Sequence, residues 1–365
     1  MSVGASIEAL ALSLGAFRLK EIDFAVSSGE IAVILGPNGA GKSVTLEAIA
    51  GFHRPESGRV LIGGRDVTAF PPERRRVGFV FQNFGLFPHL NVAQNVAIAQ
   101  RRDGPVAGAK YAPPSGDPAA LLDYFGIAHL AQRSPSDLSP GEKQRVALAR
   151  ALAAAPDLFL FDEPFSALDA ETHEQLREEL KAYLRALAIP TIFVSHDRSD
   201  ALTLADKVIV LRGGAVIQSG PAAEVFQKPA NSFIARVVGV ENVLSGRVME
   251  TSKDFLTVTV GDQVVRAVSP ASATPSDGSV LLGIRAEDVE IDPVHTAPPR
   301  KAGTNRLPGR IAQLRRAGPL VGVTVDCGLR LTAYLLGSQV RKMNLENGSP
   351  VVVEIKPEAI HVMSD

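Results

Sequence analysis

The segment from Gly36 to Ser43 reads GPNGAGKS and matches the pattern G-x-x-x-x-G-K-[ST]. It follows an apolar, β-branched run and precedes a helix-like segment, which is the strand-to-helix setting that a phosphate-binding loop requires. Its glycines let the backbone curl until the N–H groups face phosphate oxygens, and the start of the helix adds a favourable dipole. The pattern predicts a nucleotide site formed by Gly36, Pro37, Asn38, Gly39, Ala40, Gly41, Lys42 and Ser43.

Four polar side chains divide the chemistry of such a site. Lys42 is expected to contact the β- and γ-phosphates of ATP, and Ser43 is expected to ligate Mg²⁺. A second apolar run, LFLFDEP at 158–164, ends in two carboxylates. Asp162 is expected to hold Mg²⁺ through water, and Glu163 to orient the water that attacks the γ-phosphate. ATP and Mg²⁺ are therefore the predicted substrate and cofactor.

The elements that must position these motifs alternate along the first two-thirds of the chain. Continuously apolar, β-branched runs predict buried strands at 29–35, 157–161 and 191–194. Helix-favouring stretches lie at 43–50 and 170–187. Alternating strands and helices predict an α/β fold with a parallel sheet covered by helices.

The sequence pattern beyond Arg236 predicts mostly β-strands. A hairpin is predicted where 255–260 and 264–268 flank Gly261 and Asp262, and β-branched alternation continues at 321–335 and 351–362. Several short strands with turn signals predict a compact barrel or sandwich. The Pro-, Lys- and Arg-rich segment 293–308 is expected to be exposed and to join two similar β units. We therefore divide the chain into domains at 1–236 and 237–365.

The composition limits the classes of partner. Lys and Arg total 38 against 39 Asp and Glu, so the net charge of -1 offers no global attraction to nucleic acid. The single cysteine, Cys327, cannot form an internal disulfide and fits a reducing compartment. No apolar run approaches the ~18 residues of a membrane-spanning helix. If the protein works at a membrane, another chain is expected to supply the span.

With these motifs in this order, the chain resembles the ABC (ATP-binding cassette) ATPase family over essentially its whole length. The resemblance is carried by Gln82 in VFQNFGLFPHL, by LSPGEKQRVALARAL from Leu138, by SALDA at 166–170 and by VSHD around His196. The LSPGE segment is similar to the ABC signature, which separates this family from other phosphate-loop ATPases. A phosphate-loop kinase is disfavoured, because it would need neither this segment nor His196. The resemblance implies a phosphate-loop nucleotide-binding domain with a helical subdomain.

The resemblance also implies roles for single residues. Gln82 joins Ser43 and Asp162 as a metal ligand, and His196 hydrogen-bonds the γ-phosphate and senses its hydrolysis. The site is composite, because a second copy of the chain contributes contacts to the nucleotide in a sandwich dimer. The residues that the resemblance places across this dimer seam are Ser139, Gly141, Glu142 and Asp169.

Two departures from the family pattern concern the nucleotide. The signature normally reads LSGGQ, whereas Pro140 and Glu142 stand here. Proline is sterically acceptable in a first helical turn, but its nitrogen carries no hydrogen to donate to phosphate. The aromatic residue that stacks on adenine is also displaced, and Phe17 is the nearest candidate.

Further segments point to an importer. FGLFPHL at 84–90 is similar to the importer segment that lines a groove for a coupling helix of the membrane subunit. GVENVLSGRV, LLGIRAEDVEI and VEIKPEAIHVM resemble the paired OB-like regulatory domain of type I importers. The implied partners are transmembrane permease subunits and, indirectly, a substrate-binding protein. The implied location is peripheral, on the cytoplasmic face of the inner membrane.

The transported substrate is the least specified property. LSLGAFRL, LEAIAGFHRPESG and FIARVVGVENVL look most like molybdate and tungstate importer ATPases. Sulfate, ferric iron, polyamine and sugar importers remain alternatives, and a soluble ABC ATPase without a transport role is a remote one. Arg315, Arg316 and the turn around Gly318 are candidate donors to an anion in the C-terminal domain, with an exposed basic turn as the simpler interpretation.

Overall fold

The computed structural model describes residues 3–100, 117–166, 169–269, 277–294 and 303–363. Its contacts divide the chain into two compact units, Met1–Ala223 and Glu224–Asp365. The sequence-based boundary after residue 236 falls later and stays a prediction. The contact-based division comes earlier because the segment before residue 236 packs with the β unit: Arg285 donates a hydrogen bond to the carbonyl of Phe226 at 2.7 Å.

The first unit contains ten strands and six complete α-helices among the residues described. The strands are β1 (Val3–Leu14), β2 (Phe17–Ser27), β3 (Ile31–Leu35), β4 (Ser57–Ile62), β5 (Arg65–Asp66), β6 (Val77–Val80), β7 (Leu158–Asp162), β8 (Thr191–Val194), β9 (Lys207–Arg212) and β10 (Ala215–Pro221). The helices are α1 (Lys42–Ala50), α2 (Val92–Ala97), α3 (Pro118–Tyr124), α4 (Pro140–Ala153), α5 (Ala170–Leu187) and α6 (Arg198–Leu204), with α7 (Ala222–Gln227) and α8 (Ser232–Val237) following.

A six-stranded sheet with the order β10-β9-β3-β8-β7-β6 forms the centre of the first unit. The strands from β9 to β6 pair in parallel, and β10 returns antiparallel to β9. Strands β3 and β8 are buried along their whole length, as expected for a sheet covered on both faces. The predicted parallel sheet is confirmed.

A second sheet, antiparallel and with the order β2-β1-β4-β5, packs on this centre. The core between them includes Leu10 from β1, Ile34 from β3 and Leu46 from α1, each 0% exposed. Helix α1 is thus anchored on its apolar side. Its first residues, which follow the phosphate loop, are fixed relative to the parallel sheet.

The second unit is mostly β, as predicted. Its strands are β11 (Asn242–Thr251), β12 (Phe255–Val260), β13 (Gln263–Val268), β14 (Ser279–Ile284), β15 (Glu290–Pro293), β16 (Asn305–Ala317), β17 (Leu320–Asp326), β18 (Arg330–Leu336), β19 (Pro350–Ile355) and β20 (Ile360–Met363), with helix α9 (Gly337–Lys342) after β18. They form two five-stranded sheets, β13-β12-β11-β14-β20 and β15-β19-β16-β17-β18. Each sheet therefore takes its outermost strand, β20 or β15, from the other half of the unit.

Two buried asparagines tie the halves together at equivalent places. Asn242, at the start of β11, donates to the carbonyls of Thr332 and Ile284 and accepts from the Thr332 N–H at 2.7 Å. Asn305, at the start of β16, makes the same type of contact with Arg266, accepting from its N–H at 2.7 Å and donating to its carbonyl at 2.8 Å. Each side chain thus pairs with the backbone of a strand in the other sheet.

Asn305→Ala is expected to destabilise the second unit by about 1 to 2 kcal/mol, because it removes the two hydrogen bonds between the buried Asn305 side chain and the backbone of Arg266. Hydrogen–deuterium exchange of the full chain measures this locally. Deuterium uptake should rise across β13, whereas Gln313→Ala, which removes an exposed amide from β16, should leave it unchanged. Equal uptake in the two variants would refute the tie.

The segment expected to be an exposed linker, 293–308, is only partly described. Residues 295–302 lie outside the described part, but Asn305–Pro308 already belong to β16 and pair with β19. The expectation was wrong for these residues. Pro308 argued against a strand in this segment, because proline cannot donate a hydrogen bond within a sheet. Proline is tolerated here because the pairing of β16 with β17 begins only at Arg310.

Among the described residues, no helix combines the length and the apolar character that crossing a bilayer requires.

Candidate active site

The predicted site residues gather at one edge of the parallel sheet. Strands β3, β8, β7 and β6 are neighbours and run in the same direction, so their carboxyl ends meet. The phosphate loop follows β3, His196 follows β8, and Gln82 lies exposed in the turn after β6. Strand β7 ends at Asp162, whose register partner is Val194 of β8. This edge is where ligands bind in open α/β sheets.

The phosphate loop has the backbone that only glycine adopts at low cost. Gly41 precedes α1 with φ 103°, in the left-handed region. A Cβ atom at Gly41 would lie 2.6 Å from Cζ of Phe17, and one at Gly36 would lie 2.4 Å from the carbonyl oxygen of Leu211. The structure thus places Phe17 against the phosphate loop. Its stacking on adenine stays a prediction.

Lys42 lies inside the curl of the loop. Its side chain is 6% exposed, and Nζ donates to the carbonyls of Gly36 at 2.9 Å and Pro37 at 3.2 Å. Burial lowers the pKa of Lys42, while the carboxylates of Glu163 and Asp162 act in the opposite direction. The cation is thus held by the loop that is expected to surround phosphate, which fits the binding of a polyanion.

Ser43 and Asp162 are in direct contact. The Ser43 hydroxyl donates to Oδ1 of Asp162 at 2.9 Å. Burial raises the pKa of the Asp162 carboxyl, the hydrogen bond from Ser43 opposes this rise, and the Glu163 carboxylate adds to it. A hydroxyl and a carboxylate side by side form the hard-oxygen donor set that Mg²⁺ prefers, so these residues fit the predicted ion.

Glu163 and His196 form the second contact of the site. Nδ1 of His196 lies 3.2 Å from Oε2 of Glu163, and the backbone N–H of Glu163 donates to the carbonyl of Val194 at 3.0 Å. Glu163 has φ 44°, an uncommon left-handed conformation for a residue with a side chain. Such conformations concentrate at functional sites, where the surrounding structure holds them in place.

The signature segment begins helix α4 with a capping box. The Ser139 side chain accepts from the N–H of Glu142 at 3.3 Å, and Oε2 of Glu142 accepts from the N–H of Ser139 at 2.7 Å. This backbone hydrogen bond lowers the pKa of Glu142. Gly141 faces α5, since a Cβ atom there would lie 3.4 Å from Cδ1 of Leu176. The contacts of these residues across a dimer stay predictions.

Asp169 has a comparable capping role at the start of α5. Its carboxylate accepts from the N–H of Thr172 at 3.0 Å and from the Thr172 hydroxyl at 2.7 Å. These hydrogen bonds, led by the one from the backbone, lower the pKa of Asp169. Asp169 is exposed, so its side chain is accessible to a second copy of the chain, as its predicted position at a dimer seam requires. The preceding residues 167–168 lie outside the described part.

Pro140→Gly is expected to retain ATPase activity within about threefold. Pro140 occupies the first turn of α4, where its missing N–H has no helical partner. Glycine restores an N–H donor but increases the freedom of the unfolded chain, so the unfolding free energy should fall by about 1 kcal/mol or less. Steady-state ATPase assays and thermal unfolding check the two parts. Loss of activity at unchanged stability would show a specific requirement for Pro140.

Arg150 is a positioning residue that the sequence did not reveal. It is 8% exposed on α4, donates to the carbonyl of Phe84 at 2.8 Å and also donates to the carbonyl of Gly85. Phe84 and Gly85 both have left-handed backbones, with φ 60° and 58°. Arg150 thereby fixes the turn after Gln82 against the signature helix. The partners are backbone carbonyls, which carry no signal in the side-chain sequence.

The chain is similar to known proteins over both of its units. Residues 19–166 match the ABC transporter family model, and residues 301–362 match the TOBE domain model. The chain is 34% identical to the molybdate/tungstate import ATP-binding protein of Pyrococcus abyssi, over 98% of this chain and 99% of the relative. It is 38% identical to a sulfate/thiosulfate import ATP-binding protein of Chromobacterium violaceum, over 96% and 92%.

A solved structure supports the fold. The crystal structure of a nucleotide-free ATP-binding cassette from an ABC transporter matches with a TM-score of 0.52 and 24% identity, covering 60% of this chain and 92% of that one. The phosphate loop, the carboxylates after β7 and the histidine after β8 all lie within the unit that carries this fold. The chain therefore belongs to the family of ABC transporter import ATP-binding subunits, and it is an ATPase.

Proposed function

We propose that this chain hydrolyses ATP to drive an ABC importer for a tetrahedral oxyanion, with molybdate or tungstate in first place. The observation that carries the substrate class is the Pyrococcus abyssi relative, which matches along 98% of this chain, the C-terminal unit included. The site geometry supports the proposed steps of ATP hydrolysis. ATP is the substrate, and Mg²⁺ is the cofactor.

In the proposed mechanism, the residues of the site bind the phosphates, hold the metal ion and orient the attacking water. The ammonium of Lys42 neutralises charge on the β- and γ-phosphates, and the loop N–H groups fix them in place. Ser43 and Asp162, with Gln82 from the adjacent turn, would hold Mg²⁺, and the ion would supply positive charge to the phosphate oxygens. The carboxylate of Glu163 orients the attacking water, and His196, 3.2 Å from it, donates to the γ-phosphate.

The complete site needs a second copy of the chain. Ser139 and Gly141 at the start of α4 supply contacts to the γ-phosphate of the partner, and Asp169 lies at the seam. Both Ser139 and Asp169 are exposed at helix starts, and the dipole at the start of α4 favours an anion beside Ser139. ATP therefore joins two copies into a nucleotide-sandwich dimer, and hydrolysis lets them separate.

The proposed partner on the membrane side is a permease subunit. Three aromatic side chains are exposed on the segments after α1 and β6: Phe52 is 46% exposed, Phe81 41% and Phe87 39%. The rings of Phe52 and Phe81 stack with centroids 6.1 Å apart. A coupling helix docked here would touch the turn that carries Gln82. The chain is thereby peripheral, on the cytoplasmic face of the inner membrane, and receives substrate indirectly from a binding protein.

Sulfate is the second candidate substrate, because the Chromobacterium violaceum relative matches over 96% of this chain. The candidate donors in the C-terminal unit do not separate the two. Arg315 and Arg316 are exposed near the end of β16, and Gly318 turns the chain into β17 with φ 60°. This is the ordinary setting of a solvated basic turn, so we assign no anion site there.

Uptake into proteoliposomes tests the substrate. The chain is assembled with its permease and binding protein, and vesicles are supplied with molybdate, tungstate, sulfate, spermidine, ferric citrate or maltose. ATP-dependent uptake of molybdate and tungstate, with sulfate weaker, is the expected result. Uptake of iron, polyamine or sugar without any oxyanion would reject the substrate class while leaving the ATPase mechanism intact.

A further inference from the structure

A buried carboxylate is hydrogen-bonded to Ser195, the residue that precedes His196. Asp200, in the first turn of α6, is 3% exposed. Its Oδ2 accepts a hydrogen bond from the Ser195 hydroxyl at 2.6 Å, its Oδ1 lies 2.7 Å from Nε2 of His173, and Nη1 of Arg177 lies 3.6 Å from the same oxygen. A buried charge is costly unless it is paired and hydrogen-bonded, and here both oxygens are engaged.

On one side, this carboxylate fixes the backbone that carries His196. The Ser195 hydroxyl donates to Asp200 and accepts from the N–H of Asp197 at 2.9 Å. The N–H of Ser195 donates to the carbonyl of Ile34, in the strand that leads into the phosphate loop, at 3.3 Å. The hydroxyl of Ser195 therefore fixes the residues on both sides of His196, Ser195 itself and Asp197. The imidazole itself is left to meet Glu163.

On the other side, the carboxylate contacts the start of α5. His173 lies one helical turn after Asp169, to whose carbonyl its N–H donates at 2.9 Å. Its ring stacks on Phe165 with centroids 4.9 Å apart and an interplanar angle of 23°. Phe165 closely follows Glu163 in the chain. His173 thus contacts the segment that runs from Glu163 towards Asp169.

A metal ion is a poorer explanation of this cluster. Ligand atoms of His173, Asp197 and Asp200 lie within 4.8 Å of one another. The guanidinium of Arg177 already lies beside Asp200, and Asp197 accepts from the N–H of Ser199 at 2.7 Å. A cation would have to displace these donors and tolerate the adjacent positive charge.

We infer that His173, Asp200 and Ser195 form a positioning relay between the start of α5 and His196. The relay does not touch the nucleotide. It sets the distance between His196 and Glu163. The first residues of α5 are proposed to lie at the dimer seam, and the relay transmits a displacement of α5 to His196 and Glu163. The inference rests on the proposed role of His196 in the site described above.

Steady-state kinetics of the full chain test the relay. Ser195→Ala and Asp200→Asn should each lower kcat by about 10- to 100-fold through misplacement of His196, while the Kd for ATP changes less than about twofold. Ser195→Thr, which keeps the hydroxyl, should recover most of kcat. The double variant His173→Gln/Ser195→Ala should lose little more than the worse single variant, because both interrupt one connection.

Two controls separate the possible failures. Ser199→Ala removes an exposed hydroxyl from the same segment and should leave kcat unchanged. His196→Ala should lose activity; if it does not, the proposed role of His196 fails. If His196→Ala is inactive but Ser195→Ala and Asp200→Asn keep native kcat, the relay alone is rejected. Equal losses of kcat and ATP binding, with lowered thermal stability, would also reject it, because they indicate a merely structural role.

Discussion

Glu163→Gln is expected to bind ATP with near-native affinity and to hydrolyse it at least about 100-fold more slowly. The substitution keeps the shape of the side chain but removes the carboxylate that orients water. ATP should then accumulate a closed dimer, because the step that opens it is blocked. Single-turnover phosphate release measures the chemistry, a nucleotide titration measures binding, and size-exclusion chromatography with ATP measures the dimer.

Glu178→Gln is the matched control for this prediction. It neutralises an exposed carboxylate on α5, away from the first turn that is proposed to lie at the dimer seam, and should hydrolyse ATP at the native rate. If Glu163→Gln released phosphate as fast as this control, Glu163 would not be the water-orienting residue. The contact with His196 would then need another explanation.

Lys42→Ala is expected to weaken ATP binding itself by about 10- to 100-fold, because charge-assisted hydrogen bonds to phosphate contribute about 1.5 to 3 kcal/mol. The loop also loses its internal ties, since Nζ donates to the carbonyls of Gly36 and Pro37. Calorimetric titration with ATP measures the change in Kd. This variant should differ in kind from Glu163→Gln, which binds without turning over.

Lys20→Ala provides the corresponding control, because it removes an exposed ammonium from β2 in the same unit. Its Kd for ATP should equal that of the native chain. An unchanged Kd for Lys42→Ala as well would contradict the assignment of Lys42 to the ground-state phosphates. A lowered kcat alone would then place its action in the transition state.

Local sequence patterns were sufficient to predict the strands and helices that carry the site. The strand predicted at 191–194 and the helix predicted at 170–187 agree with Thr191–Val194 and Ala170–Leu187, and the strand predicted at 157–161 lies one residue before Leu158–Asp162. Continuous apolar character marks a strand covered on both faces, and this signal is local in sequence. The roles expected for Ser43 and Asp162 were likewise compatible with their 2.9 Å contact.

Contacts that depend on strand order could not be obtained in this way. Glu163 meets His196 because β8 lies beside β7 in the sheet, and nothing in either segment specifies that neighbour. The relay through Asp200 of α6 has the same origin, since its partners lie in α5 and in the turn after β8. In the C-terminal unit, β15 and β20 each complete the sheet of the other half, an exchange that alternation within single strands does not encode.

Phosphate release and molybdate uptake, measured in the same proteoliposomes with the complete transporter, give the most direct test of ATP-driven oxyanion import by this chain. With the native chain, uptake should rise in proportion to the ATP hydrolysed, and both should require the binding protein loaded with molybdate. With Glu163→Gln, both should fall together by at least about 100-fold. Molybdate uptake that continued at the native rate while hydrolysis was abolished would contradict the proposed coupling.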